Sequence, residues 1–184
     1  FRLPQGEYGS PKYTGFSYGG TALSYNPLND SLFIVGHSWH QLTAEIKIPQ
    51  AKKGSLNSLN TATVLQNFAD AIEGKLSSIN PQDTNSKNIG GQLIFKNKLY
   101  LSAYSYYDGA GTQKTSHFSR SLNLATTGQT SGPYKVGSLY PGFYSGYMAL
   151  IPPEWQASFG GPALTGGCCF AIISLQSQGP AASV

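Results

Sequence analysis

An all-β, β-propeller-like fold of repeated antiparallel meanders is what the sequence predicts, and three observations carry the prediction. Two glycine pairs, Gly19-Gly20 and Gly90-Gly91, each open the same order of parts: a short strand, a turn, an apolar strand, an aromatic loop and a third strand. Short apolar runs are bounded throughout by Gly, Pro, Asn and Asp, the residues that punctuate strands. With 22 Gly and 12 Tyr but only 11% charged residues, against roughly 25% in an ordinary soluble domain, the composition is that of all-β proteins outside the cell.

In the first meander, residues 21–25 form a short strand. The turn formers of 26–30 (NPLND) follow, because Pro presets φ and Asn and Asp bond their own backbone. Residues 31–36 (SLFIVG) are a continuous apolar run and therefore a buried strand. The polar and aromatic stretch 37–41 (HSWHQ) leads into 42–48, where Leu42, Ala44, Ile46 and Ile48 alternate with polar residues until Pro49 ends the run. Residues 61–76 break the β pattern. There Val64, Leu65, Phe68, Ala71, Ile72 and Leu76 recur at helical spacing, Asn60 or Thr61 can cap and Gly74 can stop, which predicts one short helix near 61–73 with its apolar stripe on the sheets.

The second meander has strand 92–95, turn 96–98, strand 99–103, a longer aromatic and Gly-rich loop over 104–115, and strand 116–124 with Phe118, Leu122 and Leu124 as apolar positions. A third opens at Gly146, with strand 147–151, an insertion over 152–167 and strand 168–175. Trp155, after Pro152-Pro153, is expected to begin a short helix and to pack inward. The blade-like units are thus about 16–60, 88–130 and 144–184. Sequential copies of one motif favour a propeller over a β-sandwich. The 184 residues hold about two and a half to three blades, against the roughly four to eight that close a ring. The chain is therefore expected to be a single propeller-like domain or a fragment of one, completed by the rest of a larger propeller or by other protein chains.

Residues 16–49 (FSYGGTALSYNPLNDSLFIVGHSWHQLTAEIKIP), 65–76 (LQNFADAIEGKL) and 146–167 (GYMALIPPEWQASFGGPALTGG) resemble the N-terminal part of a group of uncharacterised, secreted bacterial proteins that look like β-propellers. The resemblance covers most of the chain. It implies a protein that continues past Val184, and it supplies no activity and no catalytic residues.

Charge and hydropathy exclude several classes. Twelve Lys+Arg against eight Asp+Glu give +4, with no basic cluster, so nucleic acid is not an expected partner. Disorder does not fit 40% hydrophobic and 12% aromatic residues. The longest apolar stretch, 168–175, is far short of the ~20 residues of a membrane span. The chain begins at Phe1 without a basic n-region or an apolar h-region, so any secretion signal is expected to have been removed or to lie outside this sequence. Composition alone places the protein as secreted, periplasmic or at the cell surface. Adjacent Cys168 and Cys169 sit closer than the usual disulfide range. They are two small buried hydrophobes in a strand, a strained vicinal disulfide, or bridges to another chain. Neither has a His or a second Cys pair at metal spacing.

In a propeller the loops between second and third strands open on one face near the channel. That places His37, Ser38, Trp39 and His40 beside Tyr104, Tyr106, Tyr107, Asp108 and His117, with Arg120 two residues beyond Phe118. Aromatic rings with hydroxyl and imidazole groups suit sugars, whose CH faces stack while their hydroxyls need hydrogen bonds. Each reading has a plainer rival. His37 and His40 can share a metal if the loop turns tightly, but on an extended segment they face opposite ways. Trp39 serves packing as readily as ligand stacking, and the tyrosines at 104–107 suit a packed edge. A calcium ion near Asp108 is weighed against a plain loop tip. His117 and Arg120 can meet a carboxylate ligand or lie on a solvated strand face. No catalytic pair is assembled: there is no GxSxG, P-loop or HExxH, and Asp108 is the only acid on the favoured face.

The leading expectation is an extracellular propeller module that binds carbohydrate or another polar polymer through its aromatic loops, without a cofactor. One alternative is a structural or assembly protein of an extracellular or cell-surface complex; another is part of a secreted propeller hydrolase or lyase.

Overall fold

The computed structural model describes residues 1–168 and 179–184, and the chain divides into two compact units. The first holds Phe1–Ala71 with Asn123–Thr127; the second holds Ile72–Leu122 with Gly128–Val184. Among the described residues, the strands form three antiparallel sheets of four, four and three strands, with one short α-helix. Among them no helix is long and apolar enough to cross a membrane.

In the first unit, β1 (Leu23–Asn26), β2 (Ser31–Val35), β3 (Thr43–Lys47) and β4 (Thr63–Ala69) pair in chain order. The apolar run of β2 sits between two neighbours and buries Phe33, Ile34 and Val35. Asn26 Oδ1 accepts from the Leu28 N–H at 3.2 Å, an Asx turn that joins β1 to β2 as the NPLND composition requires. One side of the sheet packs Ile34, Ile46 and Ala62 against Leu3, Phe16, Leu32 and Val64. Phe16 and Phe68 meet with ring centroids 4.7 Å apart.

The expected helix near 61–73 is absent, and β4 occupies its first half. Val64 and Phe68 are four residues apart, an interval that returns to the same face in a strand as well as in a helix. The discriminating residue is Leu65, which a helix would have buried beside Phe68 and which β4 leaves 45% exposed while Val64, Gln66 and Phe68 turn inward. Thr63 and Val64 favour the strand, and the ladder with β3 fixes it. Only beyond Ala71 does the chain turn tightly, through Glu73 at φ 55° and Gly74 at φ 75°, into a 3₁₀ turn at Leu76–Ile79.

In the second unit, β5 (Lys87–Phe95), β6 (Lys98–Ser105), β7 (His117–Ser121) and β8 (Ser131–Tyr134) again pair in chain order. The β5–β6 hairpin turns on Lys96 and Asn97, both at positive φ (47° and 59°), the two-residue turn whose twist matches the strands. Ile89, Leu99, Leu101, Ala103 and Phe118 are buried. A three-stranded ladder follows, with β10 (Ala163–Gly166) between β9 (Met148–Leu150) and β11 (Ala182–Ser183). The interval expected to be an insertion therefore supplies both a strand and α1 (Pro153–Phe159), which carries Pro at its start and ends on Gly160 in the left-handed conformation. Trp155 does not pack inward: it lies on the outer side of α1, 55% exposed. The strand expected over 168–175 lies outside the described residues except for Cys168, which is disulfide-bonded; Cys169 lies outside them.

β5 and the segment leading into β9 approach backbone to backbone. A Cβ on Gly91 would stand 2.1 Å from the Gly146 carbonyl oxygen, which also accepts a 2.8 Å hydrogen bond from Ser102 Oγ. Gly91→Ala is expected to lower the stability of the second unit by about 1–3 kcal/mol, the range of overpacked positions, read as a shifted urea midpoint. An unchanged midpoint would show that the segment before β9 does not press on β5 there.

Candidate functional site

A concave site in the first unit is built on the β2–β3 loop. β2 delivers the chain to Gly36, where a Cβ would lie 2.3 Å from the Phe68 ring and 2.6 Å from the Gly15 carbonyl oxygen, so glycine alone lets the segments pass. From there residues 37–41 turn tightly: the His40 and Gln41 N–H groups both donate to the His37 carbonyl, at 3.0 and 3.2 Å, and Gln41 takes φ 53°. The loop is tied to the N-terminal segment by His37 N–H to Gly15 O (2.9 Å) and Ser38 N–H to Tyr18 O (3.1 Å).

This arrangement gathers Tyr13, Tyr18, His37, Ser38 and Trp39 around an open cleft of about 410 Å³. His37 is the hub. Its ring is stacked with Tyr13 (6.1 Å, 27°) and meets Tyr18 (5.6 Å) and Trp39 (5.0 Å) edge-on, with the His40 ring 5.4 Å away. His37 is 7% exposed, whereas Trp39 and Tyr18 stand 76% and 85% exposed. Tyr13 and Tyr18 hold φ of 72° and 54°, a region that bulky side chains rarely adopt and that is held only where the surroundings impose it. The backbone is thus held in an unfavourable conformation at the two tyrosines that wall the cleft.

The tight turn brings His37 and His40 together, but each has committed a nitrogen to the backbone. Trp39 N–H donates to His37 Nδ1 at 3.2 Å, and His40 Nε2 donates to the Lys12 carbonyl at 2.8 Å. Among the described residues no group of three or more His, Cys, Asp or Glu side chains is placed to hold a metal ion.

The remaining sequence-selected residues belong to the second unit. Tyr104 is half-buried on β6, and burial pushes its hydroxyl pKa up; Tyr106 and Tyr107 are about half exposed beyond the strand end. Asp108 is neither a loop tip nor an open cation ligand. It is 3% exposed, its Oδ1 accepts from Thr112 N–H (2.9 Å) and Thr112 Oγ1 (2.8 Å), and its Oδ2 accepts from Gln113 N–H (2.8 Å) and the Tyr140 hydroxyl (2.5 Å). Burial opposes its ionisation, but those donors outweigh burial and hold the carboxyl below its ordinary range. Four protein donors occupy the oxygens a calcium ion would need. A polar recess of about 290 Å³ lies alongside, lined by Asp83, Asn85, Tyr107 and Asp108 among others.

His117 and Arg120 are not on a solvated strand face. His117 is 9% exposed, and burial pushes its pKa down to about 4. Thr165 Oγ1 gives its proton to the Tyr144 carbonyl, so His117 Nε2 donates to Thr165 (3.3 Å) and Nδ1 accepts from the Ser116 hydroxyl (2.8 Å). Arg120 is 2% exposed, with Nη1 3.9 Å from Glu73 Oε1 and Nε donating to the Ser121 carbonyl. Both are buried structural groups.

Sequence reasoning passed over three residues. Tyr13 and Tyr18 reach the cleft only through long-range pairing with the 37–41 loop, and the one signal is the aromatic density of 13–18 (YTGFSY). Glu45 was visible only as an acid inside an apolar strand. It is 1% exposed and accepts from Asn26, Asn29, Ser31 and Gln66. Comparison with protein-family models, with curated proteins and with solved structures gives no match.

Proposed function

We propose that the protein is an extracellular β-propeller module that binds carbohydrate, or another polar polymer with flat apolar faces, through the cleft of Tyr13, Tyr18, His37 and Trp39. The observation that carries this reading is the exposure of Trp39 and Tyr18 around the buried His37, with the backbone of Tyr13 and Tyr18 held at positive φ. Large aromatic surfaces left in water beside a fixed polar group are the components of a stacking site. Two successive four-stranded meanders, each paired in chain order, support blades, and the low charge content and the resemblance to propeller-like secreted bacterial proteins accord with a location outside the cell. Isothermal titration calorimetry with soluble oligosaccharides is the test. Trp39→Ala is expected to weaken binding about three- to tenfold, the equivalent of one aromatic contact, with unchanged thermal unfolding because the side chain is exposed. Wild type that binds no oligosaccharide would overturn the reading.

A second reading, an assembly protein, is favoured by the edge strand β1, where Leu23 and Tyr25 are 54% and 51% exposed and Leu28 follows at 63%. An apolar edge of this kind is suited to cover by another chain. Concentration-dependent elution on size exclusion supports it, and a monomer at all concentrations argues against it.

A further inference from the structure

The nitrogen groups at the cleft are donors, while the hydroxyls of Tyr13, Tyr18 and Ser38 can donate or accept. Because the Trp39 N–H must be donated, His37 Nδ1 supplies the lone pair, and in the neutral ring the proton sits on Nε2. Nε2 has no hydrogen-bond partner among the described residues, although His37 is more than nine-tenths buried and lines the cleft. Beside it, Lys12 holds its ammonium 4.9 Å from the centroid of the Tyr13 ring, the same ring that stacks on His37. Lys12 is in no ion pair among the described residues. His40 fixes the Lys12 backbone through its carbonyl at 2.8 Å, so the lysine leaves from an anchored point at the rim. Among the described residues no carboxylate lines the cleft.

A neutral sugar presents hydroxyl donors as readily as acceptors, and a cleft that recognises it needs strong acceptors in return. Here an ammonium and an imidazole N–H stand beside the stacking rings, and their complement is an acceptor-rich, negatively charged group held in or near the plane of a pyranose. We infer that the ligand is an acidic glycan, a polymer of uronic acid residues whose ring faces stack on Trp39 and Tyr18 while a carboxylate meets Lys12 and His37 Nε2–H. This inference rests on the proposed sugar-binding role and narrows its substrate class. The protein's net charge of +4 favours approach of such a polyanion.

The test compares oligogalacturonate with its methyl ester, which keeps the ring and removes the charge, by calorimetry on the full chain. The acid is expected to bind about five- to tenfold tighter than the ester at low ionic strength, and the difference shrinks as salt is raised from about 20 to 200 mM. Lys12→Ala is expected to bring the acid down to the affinity of the ester while leaving the ester unchanged, and Lys12→Arg to retain the preference. Lys12 is exposed, so its variants do not threaten the fold. An ester that binds as tightly as the acid would overturn carboxylate recognition, and a preference that survives Lys12→Ala would overturn the role given to Lys12; either result leaves the sugar site standing. Failure of both oligomers to bind would overturn the sugar site as well.

Discussion

Glu45→Ala is expected to remove about 3–5 kcal/mol from the stability of the first unit, and Glu45→Gln about 1–2 kcal/mol. The carboxylate stands in the middle of the β1–β4 sheet, and its Oε1 accepts from Asn26 Nδ2 at 3.0 Å, Asn29 Nδ2 at 3.1 Å and Ser31 Oγ. Its Oε2 accepts from Gln66 Nε2 at 2.6 Å. Alanine leaves Asn26 and Ser31 without this acceptor at sites closed to water, and a buried donor without a partner carries the full cost of its lost hydration. Glutamine keeps a carbonyl for the three donors on one side but sets its amide against that of Gln66. Gln66 cannot rotate to relieve the conflict, because its own oxygen accepts the Leu124 N–H at 2.7 Å. Burial opposes ionisation of Glu45, but the hydrogen bonds from Ser31, Gln66, Asn26 and Asn29 outweigh it and hold the pKa below its ordinary 4.5. A pKa lowered by folding adds stability that is complete above the unfolded value and is lost as pH falls through the folded one. Wild type should therefore lose stability on acidification below pH 4.5 by a component that Glu45→Gln lacks. Urea unfolding across that range measures both effects. A loss below about 1 kcal/mol for the alanine variant would mean that the donors find other acceptors.

Asp108→Ala is expected to destabilise the second unit by about 3–4 kcal/mol, with Asp108→Asn close behind. Both carboxylate oxygens accept two donors each, two of the four being backbone N–H groups that nothing else in the turn is placed to take. Asparagine must point an amide at one of those pairs, so the isosteric change is nearly as damaging as truncation. Sugar affinity in the cleft of the first unit is expected to be unchanged at a temperature where both variants are folded. Unfolding curves and calorimetry together separate the two roles: a variant of normal stability that has lost its ligand would return Asp108 to the binding site.

Much of the fold was legible because its strands obey local rules. The run SLFIV and the alternation over 42–48 produce β2 and β3 within a residue or so, and the turn at 96–97 needs nothing beyond its own backbone preferences. What failed was ambiguous locally. Val64 and Phe68 satisfy both periodicities, and only the ladder with β3 decides between them. In the sequence Gly90-Gly91 has the look of a boundary, whereas it lies in the interior of β5, where the segment before β9 crosses too closely for any side chain. β8 contains a proline and β10 is four residues of weak β preference, so each exists through its partners. The site divides the same way. His37, Trp39 and His40 were conspicuous by composition, but their aromatic neighbours Tyr13 and Tyr18 are set by pairing more than twenty residues away in the case of the outermost contact, His40 to Lys12. Asp108 and Arg120 were conspicuous for the wrong reason, since their polarity is consumed inside the protein.

The first unit is not written as one stretch of chain: Asn123–Thr127 belongs to it, after an excursion of about fifty residues through the second. The amide of Gln66 is held by Leu124, and Gln66 in turn faces Glu45. On the ribosome, four strands emerge in order and then wait. The donors to Glu45 all lie within residues 26–66, but the Leu124 N–H that orients Gln66 arrives only after β5, β6 and β7 have been made. A product truncated near Ala71 would keep the four donors to Glu45 and lack the backbone N–H of Leu124 that holds the Gln66 amide in its orientation.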